Sequence, residues 1–533
     1  MKLAWICCIL GLISSVAADE VYTERLTITP LRDGKVHSNF DFNITVPSSQ
    51  NANYRLLPPV LNELMKRYQV SDLTFTLSAG RWMPDWSLQT FTSSPPSGLQ
   101  AVVWLKKIEN ATEEDEKARW EGLIGALGGL FCAGVLKNGM GIGESSPSWA
   151  YKYPGKDDAS QHSFYHTHLP RLSATCTESL TPFIQLLPCP SSDPPAGISS
   201  LLNPHKIFDG DWTLISFHAS STPTVSEFNF RIGVTNDPVR QERLKDGIGT
   251  RDFSLEWLFG RGMNKTCPVA SVSDIRIRVP LDETSRFQII PEDRVISQNE
   301  GENVFATFDV KNLKKPLNVE MRWLDETLFR RPSFKNRPLP PIEAQRILTG
   351  HSQERGKLGV SVTNNLDRPA SIIVAESWPW WVRGFISGVQ ITSNFHDGAE
   401  LMNVSYTPAL ARIRPTTLQL HVKIQARTTT RILIPYESVY LWYTEYPSDA
   451  HRGMEVPGAT VVLLSESSDS SDSLESMEHL FKIHTSTTLL NLPTPDFSMP
   501  YNVIILTSTV IALFFGSVFN PMVRKWYIVD VTN

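Results

Sequence analysis

Residues 26–46 read LTITPLRDGKVHSNFDFNITV, and their period decides the fold class. Leu26-Thr27-Ile28-Thr29 and Phe40-Asp41-Phe42-Asn43-Ile44-Thr45-Val46 alternate apolar with polar side chains, as half-buried strands do, and Asp33-Gly34 supplies a turn between them. The same period returns from Leu73 to Leu77, and Ala101 to Leu105 is a short apolar strand. Two segments have helical spacing instead: Val60 to Tyr68, and about Glu113 to Leu130. Thr112 opens the second helix, and the acids of its first turn suit the positive end of the helix dipole. The end of that helix, Gly125 to Ala133, is smooth and apolar, which predicts a packing face.

From Ile275 onward the pattern becomes a series of short strands with proline-bearing turns. They fall at Ile275 to Val279, Val304 to Val310, Leu317 to Trp323, Gly359 to Thr363, Ile372 to Glu376, Leu418 to Ile424 and Arg431 to Tyr436. Such repetition predicts a β-sandwich. The expected architecture is a β-rich α+β body, with an N-terminal α+β domain over 19–285 and a β-sandwich-like domain over 286–490. Arg330 to Pro341 is a basic, proline-rich connector, and 465–476 (SESSDSSDSLES) is acidic and low in complexity, which predicts disorder.

The chain has 533 residues, more than one ordinary core, with 41% hydrophobic and 20% charged residues, the balance of a folded protein. A net charge of -5 gives no reason to expect nucleic acid as a partner.

The first 18 residues, MKLAWICCILGLISSVAA, have a basic start, a short apolar core and small residues before a cleavage point, so they predict a signal peptide. Secretory entry makes the cysteines candidates for disulfides. Cys7 and Cys8 leave with the signal, and Cys132, Cys176, Cys189 and Cys267 remain. Cys132 ends the smooth helix and reads as a small buried hydrophobe. Cys189 and Cys267 are each followed by proline in loop-like sequence and are expected to pair. Cys176, in polar surroundings, is then left over for an intermolecular bridge or a reactive thiol, and the bridge is favoured. Sequons at Asn43, Asn110, Asn264 and Asn403 become candidate N-glycosylation sites.

The C-terminal stretch NLPTPDFSMPYNVIILTSTVIALFFGSVFNPMVRKW, 491–526, sets three prolines and Asp496 against a run with no charge from Phe497 to Val523. That run is long enough for a hydrocarbon core of ~30 Å at ~1.5 Å per residue. Tyr501 and Trp526 flank it, and Arg524 and Lys525 follow, which by the positive-inside rule face the cytosol. The expectation is a single-pass type I protein: a proline-rich strap at 491–500 (Pro493, Pro495, Asp496, Pro500), a transmembrane helix at 501–523, and a cytosolic tail at 524–533. A GPI-attachment signal would end on its apolar tail, whereas here basic and polar residues follow it.

No motif for an enzyme of this chain's own emerges. There is no G-x-S-x-G, H-E-x-x-H or P-loop, and Gly139-Met-Gly141-Ile-Gly143 lacks the frame of a nucleotide fingerprint. In QHSFYHTH, His166 and His168 would share a strand face, with His162 at a turn. No acid or cysteine stands near to complete a metal site, so interfacial or surface histidines fit better than a metal. No cofactor is implied.

Several stretches together resemble a known family, that of the PIG-T subunit of the glycosylphosphatidylinositol (GPI) transamidase complex. They are NLPTPDFSMPYNVI before the span, CTESLTP and LLPC around Cys176 and Cys189, CPVAS at Cys267, QRILTG, SWPWWVR and LWYTEYPSDAHRG, in the family's order from about residue 24 to the tail. The resemblance implies a non-catalytic subunit in the endoplasmic reticulum membrane that stabilises and positions a caspase-like catalytic subunit, PIG-K. PIG-S, PIG-U and the GPI-attachment subunit are implied as further partners, with GPI lipid and precursor protein met indirectly. The family's disulfide to PIG-K maps onto Cys176. The residues alone also admit a stand-alone type I adhesion or receptor glycoprotein, which would share signal, sequons, sandwich and span.

Overall fold

The computed structural model describes residues 20–48, 55–90, 93–131, 148–155, 159–169, 177–189, 195–240, 249–280, 285–292, 295–299, 303–313, 315–326, 328–331, 339–350, 352, 354–395, 398–447, 449–465, 477–494, 496 and 498–530. The expected signal peptide, Cys132, Cys176, Gly139 to Gly143, Pro495 and the 466–476 part of the acidic run lie outside them.

Among the described residues, thirteen strands serve the first part of the body. They are β1 Val21–Pro30, β2 Val36–Pro47, β3 Val70–Gly80, β4 Gly98–Lys106, β5 His162–Leu169, β6 Trp212–Ser221 and β7 Val225–Asn236. Then follow β8 Phe253–Ser254, β9 Val272–Arg278, β10 Phe287–Ile290, β11 Val295–Asn299, β12 Asn303–Asp309 and β13 Glu320–Trp323. Ten of them form one sheet in the order β11-β12-β9-β1-β2-β7-β6-β3-β4-β5. The opening hairpin pairs as its alternation requires, Leu26 opposite Phe40 and Ile28 opposite Ser38, and Leu26, Ile28, Phe40, Phe42 and Ile44 are buried. Its neighbour on the other side is β9, parallel to β1, with Leu26 opposite Ile275.

Helices cover the apolar face of this sheet. In Glu113–Leu130 the Thr112 hydroxyl accepts from the Asp115 N–H while Asp115 accepts from the Thr112 N–H, a reciprocal cap that satisfies two otherwise orphaned donors. Trp120, Leu123, Ile124 and Leu127 recur at helical spacing and are buried, with Trp120 stacked on Tyr165 of β5 at 5.3 Å. Truncating one of these leucines to alanine costs about 2–5 kcal/mol through lost transfer and cavity formation. The helix Thr177–Gln185 packs beside it, Phe183 meeting Phe131 at 4.3 Å.

Twelve further strands form the second part: β14 Ile342–Thr349, β15 Arg355–Asn364, β16 Ala370–Trp378, β17 Val382–Gly384, β18 Gln390–Ser393 and β19 Ala399–Thr407. They continue with β20 Thr416–Ile424, β21 Thr429–Ser438, β22 Met454–Val456, β23 Thr460–Leu464, β24 His479–His484 and β25 Thr488–Leu490. One sheet runs β14-β15-β21-β17 with β18 also on β21, and the other runs β19-β20-β16-β23-β24. Leu358, Val360 and Ile432 of the first share a buried core with Ile372, Val374, Leu420 and Val422 of the second, so this part is a β-sandwich.

The two cores divide further along the chain than residue 285. β12 joins the ten-stranded sheet beside β9, β13 pairs with β10 on one side and β8 on the other, and Val319, Met321 and Trp323 sit in the first core. Phe329, also buried, packs against the same part, its ring filling the space above Gly34 in the first hairpin's turn. Gly34 has φ +86°, and a Cβ at that position would lie 2.6 Å from the Phe329 ring. The change of core therefore falls at the proline-rich connector. β12 and β13 resemble sandwich strands by pattern, and only their partners assign them to the first sheet.

The helix Ser498–Val523 is 26 residues long, apolar enough to cross a membrane, and fully exposed. At 1.5 Å per residue it is about 39 Å long. It begins three residues before the expected start, so Pro500 lies in its first turn rather than in the extended strap. A missing N–H there breaks no intrahelical bond.

Candidate functional site: a seam and a membrane-proximal clasp

Three places concentrate polar chemistry: the seam between the two parts, the disulfide region, and the loops around the start of the apolar helix. At the seam, Trp104, Ala150, Tyr151 and Phe164 of the first part cluster with Ile373, Val462 and Leu464 of the sandwich. β16 and β23 are thus buried on both faces, which is why Val461 to Leu464 reads as an unbroken apolar run. Polar groups bridge around this patch. Gln419 Oε1 accepts from the backbone N–H groups of Trp149 at 2.8 Å and Ala150 at 3.2 Å. The Tyr151 hydroxyl lies 3.2 Å from that of Thr460 and accepts from Gln100 at 2.8 Å.

The histidines of β5 face this seam. His166 and His168 share a face, with ring centroids 6.4 Å apart. His166 Nε2 lies 3.1 Å from the Gln100 amide nitrogen, so the ring accepts there and is neutral. His168 Nε2 lies 3.0 Å from the Ser97 carbonyl and donates to it. From the sandwich side, His484 Nδ1 donates to the Ser94 carbonyl at 2.6 Å. Burial holds all three below the usual imidazole range, His168 at about 4, His484 at about 3 and His166 well below. Burial likewise lowers the Lys482 ammonium, which stands 4.5 Å over the Tyr151 ring, to about 8. His162, at the strand's start, stacks on Tyr153 at 4.3 Å. Among the described residues no group of three or more His, Cys, Asp or Glu side chains could hold a metal ion. Beneath the seam Arg346 and Glu376 form an ion pair with side chains only 3% and 1% exposed, and Glu376 also accepts from Trp378 Nε1 at 2.9 Å.

Cys189 and Cys267 form a disulfide across 78 residues. The bond ties the turn after Thr177–Gln185 to the segment leading into β9. Beside it, buried Glu24 accepts from Ser273 Oγ at 2.6 Å and from the Tyr22 hydroxyl at 3.3 Å. Burial nevertheless pushes the Glu24 carboxyl above the usual range, the hydrogen bonds from Ser273 and from the Ile198 backbone opposing it. Leu180 and Phe183 anchor the same helix in the core. Of the sequon asparagines, Asn110, Asn264 and Asn403 are exposed, and Asn43 is half-buried in β2 between Thr23 and Asn229.

At the sandwich end two loops close on each other. Leu410 and Arg414 pair across a tight turn in which Arg412 has φ +62°. Arg412 forms a bidentate ion pair with Glu445, Nη2 to Oε2 at 2.9 Å, and its guanidinium lies 3.6 Å over the Trp442 ring and 4.6 Å from that of Trp380. Glu445 also accepts from the Trp442 N–H at 2.8 Å. This clasp is fixed to the chain's approach to the membrane. The Tyr446 hydroxyl donates to the Pro493 carbonyl at 2.7 Å, and the Tyr443 side chain faces that of Tyr501. Leu490 and Leu492 are buried in the sandwich core, and Pro493, also buried, carries the chain from them toward the span. Asp496 caps the apolar helix, accepting from the Ser498 N–H at 2.8 Å. The clasp was not read from the sequence, because Arg412 and Glu445 are 33 residues apart and neither belongs to a recognisable motif.

The chain matches a family model described as the Gpi16 subunit, GPI transamidase component, over residues 6–248 and 244–533. It is 28% identical over 543 residues to the human GPI-anchor transamidase component PIGT, covering 95% of this chain and 90% of that protein. It is 29% identical to the Saccharomyces cerevisiae GPI transamidase component GPI16, covering 96% and 89%. The Schizosaccharomyces pombe PIG-T homolog is 27% identical, with 96% and 92% covered. Among solved structures, the yeast δ-COP μ-homology domain aligns with a TM-score of 0.17 and 10% identity, over 53% of this chain and 89% of its own. That likeness is too weak to bear on the fold.

Proposed function

Because the chain belongs to the Gpi16 family of GPI transamidase components, we propose that it is a non-catalytic subunit that stabilises and positions the complex's catalytic cysteine subunit, PIG-K. It acts in GPI-anchor attachment as one component among several. The single observation that carries this is the family match along nearly the whole chain, 6–533 in two overlapping segments. A match to a component of a multi-subunit enzyme over that length does not favour a stand-alone adhesion or receptor glycoprotein. In this reading the body faces the lumen of the endoplasmic reticulum, and PIG-S, PIG-U and the GPI-attachment subunit complete the assembly.

Cys176 is the proposed inter-subunit link to PIG-K. It directly precedes the helix Thr177–Gln185, which Leu180, Phe183 and the Cys189–Cys267 bond anchor to the first core. A cysteine at the head of an anchored helix suits a covalent mount. The chemistry gives that mount a purpose. A thioester on the catalytic subunit must survive water until a bulky lipid amine arrives, so relative position matters as much as nucleophilicity. A covalent link holds the two chains at high effective concentration.

Affinity purification of the tagged full chain, with identification of the co-purifying chains, tests the subunit reading. A lone glycoprotein of about its own mass, 59.9 kDa before glycosylation, would overturn it. On non-reducing gels, Cys176→Ser is expected to abolish the heavy reducible species and to lower attachment without eliminating it. An unchanged heavy band sinks the Cys176 assignment alone.

A further inference from the structure

The clasp presents large apolar side chains where a water-soluble surface would not. Trp442 is 64% exposed, Tyr440 65%, Tyr443 45%, Ile413 51% and Leu410 45%, and all five belong to the two loops that Arg412 joins. We propose that these loop tips insert into the membrane–water interface of the leaflet beneath the body, giving the protein a second lipid contact beside its span.

Height above the bilayer is the first argument. Tyr446 donates to the Pro493 carbonyl just before the span, and the neighbouring Tyr443 faces Tyr501 in the first turn of the apolar helix. A span begins at the interface, so whatever touches its first turn on the body side is at headgroup level. The patch is therefore continuous with a surface that already meets lipid. Chemistry is the second argument. Tryptophan and tyrosine are the residues that favour this zone, having an apolar ring with one polar handle, and Leu410 and Ile413 add aliphatic reach. The charge in the patch is the third. Arg412 would oppose insertion as a bare cation, but Glu445 neutralises it and two indole rings sandwich it. Its pairing holds the Glu445 carboxyl below the usual range, so the ion pair persists at any physiological pH. Rigidity is the fourth. The cross-strand bridge at Leu410 and Arg414 and the hydrogen bond from the Trp442 N–H to the Glu445 carboxylate fix the tips before they meet lipid, so little ordering entropy is lost on contact. The proposal rests on the span and not on the identity of any partner subunit.

Depth measurement by spin label tests it. The full chain, with Cys132 and Cys176 replaced by serine and the Cys189–Cys267 bond kept, would carry Trp442→Cys with a nitroxide in phosphatidylcholine vesicles. Collisions with oxygen, which partitions into lipid, are compared with those of a water-soluble nickel chelate. Tyr501→Cys marks the interface, and Leu324→Cys, on a residue 62% exposed in the first part, marks water. The expected oxygen-to-nickel ratio at 442 matches that at 501 and exceeds that at 324 several-fold. A ratio equal to that at 324 overturns the proposal, as does a label shielded from both reagents, which would mean that a second copy or another protein surface covers the patch. Tyr440→Cys, read in the same way, serves if the loss of Trp442 loosens the clasp.

Discussion

Tyr446 donates its hydroxyl to the carbonyl oxygen of Pro493 at 2.7 Å, so the loop that carries the clasp and the strap that leads to the membrane are bonded to each other. The bond is one neutral contact at the edge of the sandwich. Tyr446→Phe should therefore cost about 1 kcal/mol of local stability. In a domain of this size that lowers the melting midpoint by about 2–4 °C. GPI attachment to a reporter protein, read at the surface of cells lacking the endogenous subunit, should fall partly while co-purification of the other chains is unchanged.

The prolines before the span divide into two kinds. Pro493 and Pro495 precede the helix in sequence, where a proline fixes its own φ, whereas Pro500 sits inside the first helical turn. Replacing Pro493 and Pro495 with a Gly-Ser pair should impair attachment and leave assembly intact. Pro500→Ala should change neither. Full attachment by the Gly-Ser variant would refute a positioning role for the strap.

Arg346 and Glu376 form the most deeply buried ion pair among the described residues. Arg346→Met strands a carboxylate that also serves Trp378, so the expected loss is about 3–5 kcal/mol in urea unfolding. Adding Glu376→Gln to that variant should recover part of it, since no unpaired charge then remains. Equal losses in the single and double variants would mean that packing, not charge, holds this corner.

The seam should weaken in acid. His166, His168 and His484 are kept neutral by burial, with folded values near 4 for His168 and near 3 for His484, against an ordinary ~6.5 in the unfolded chain. Below the ordinary value the unfolded chain takes up protons that the folded seam refuses. The stabilisation is therefore complete above about pH 6.5 and is lost progressively as pH falls from there toward 4 and 3. Unfolding midpoints measured between pH 7.5 and 4.5 should fall, and His484→Gln, which keeps a donor for Ser94, should flatten the slope.

The local elements were legible because their causes are local. The alternation at 40–46, the Thr112 cap and the uncharged run before Arg524 each carry their own signal. The expected strands at 304–310 and 317–323 exist, in slightly different bounds, yet belong to the first core. Period two states that a strand is half-buried and says nothing of which sheet buries it. The parallel register of β1 on β9, nearly 250 positions apart, carries no signature either residue could show alone (Leu26 with Ile275). Strands β6 and β7 escaped the sequence reading although TLISFHAS and FNFRIGV alternate plainly enough to find them. The histidines were placed on one strand face correctly, but the far side of the seam, from Ser94, Gln419 and His484, could come only from the fold.

The sheet buried on both faces has one more consequence. β16 and β23 are at once a wall of the sandwich core and the surface against which Trp104 and Phe164 rest. Such a wall couples the two parts across the seam. A tilt of the span, passed through Pro493 and Leu490 into the sandwich, would turn the first part with it as a lever turns about its mount. The helix Thr177–Gln185, anchored in the first core by Leu180 and Phe183, would then follow that tilt.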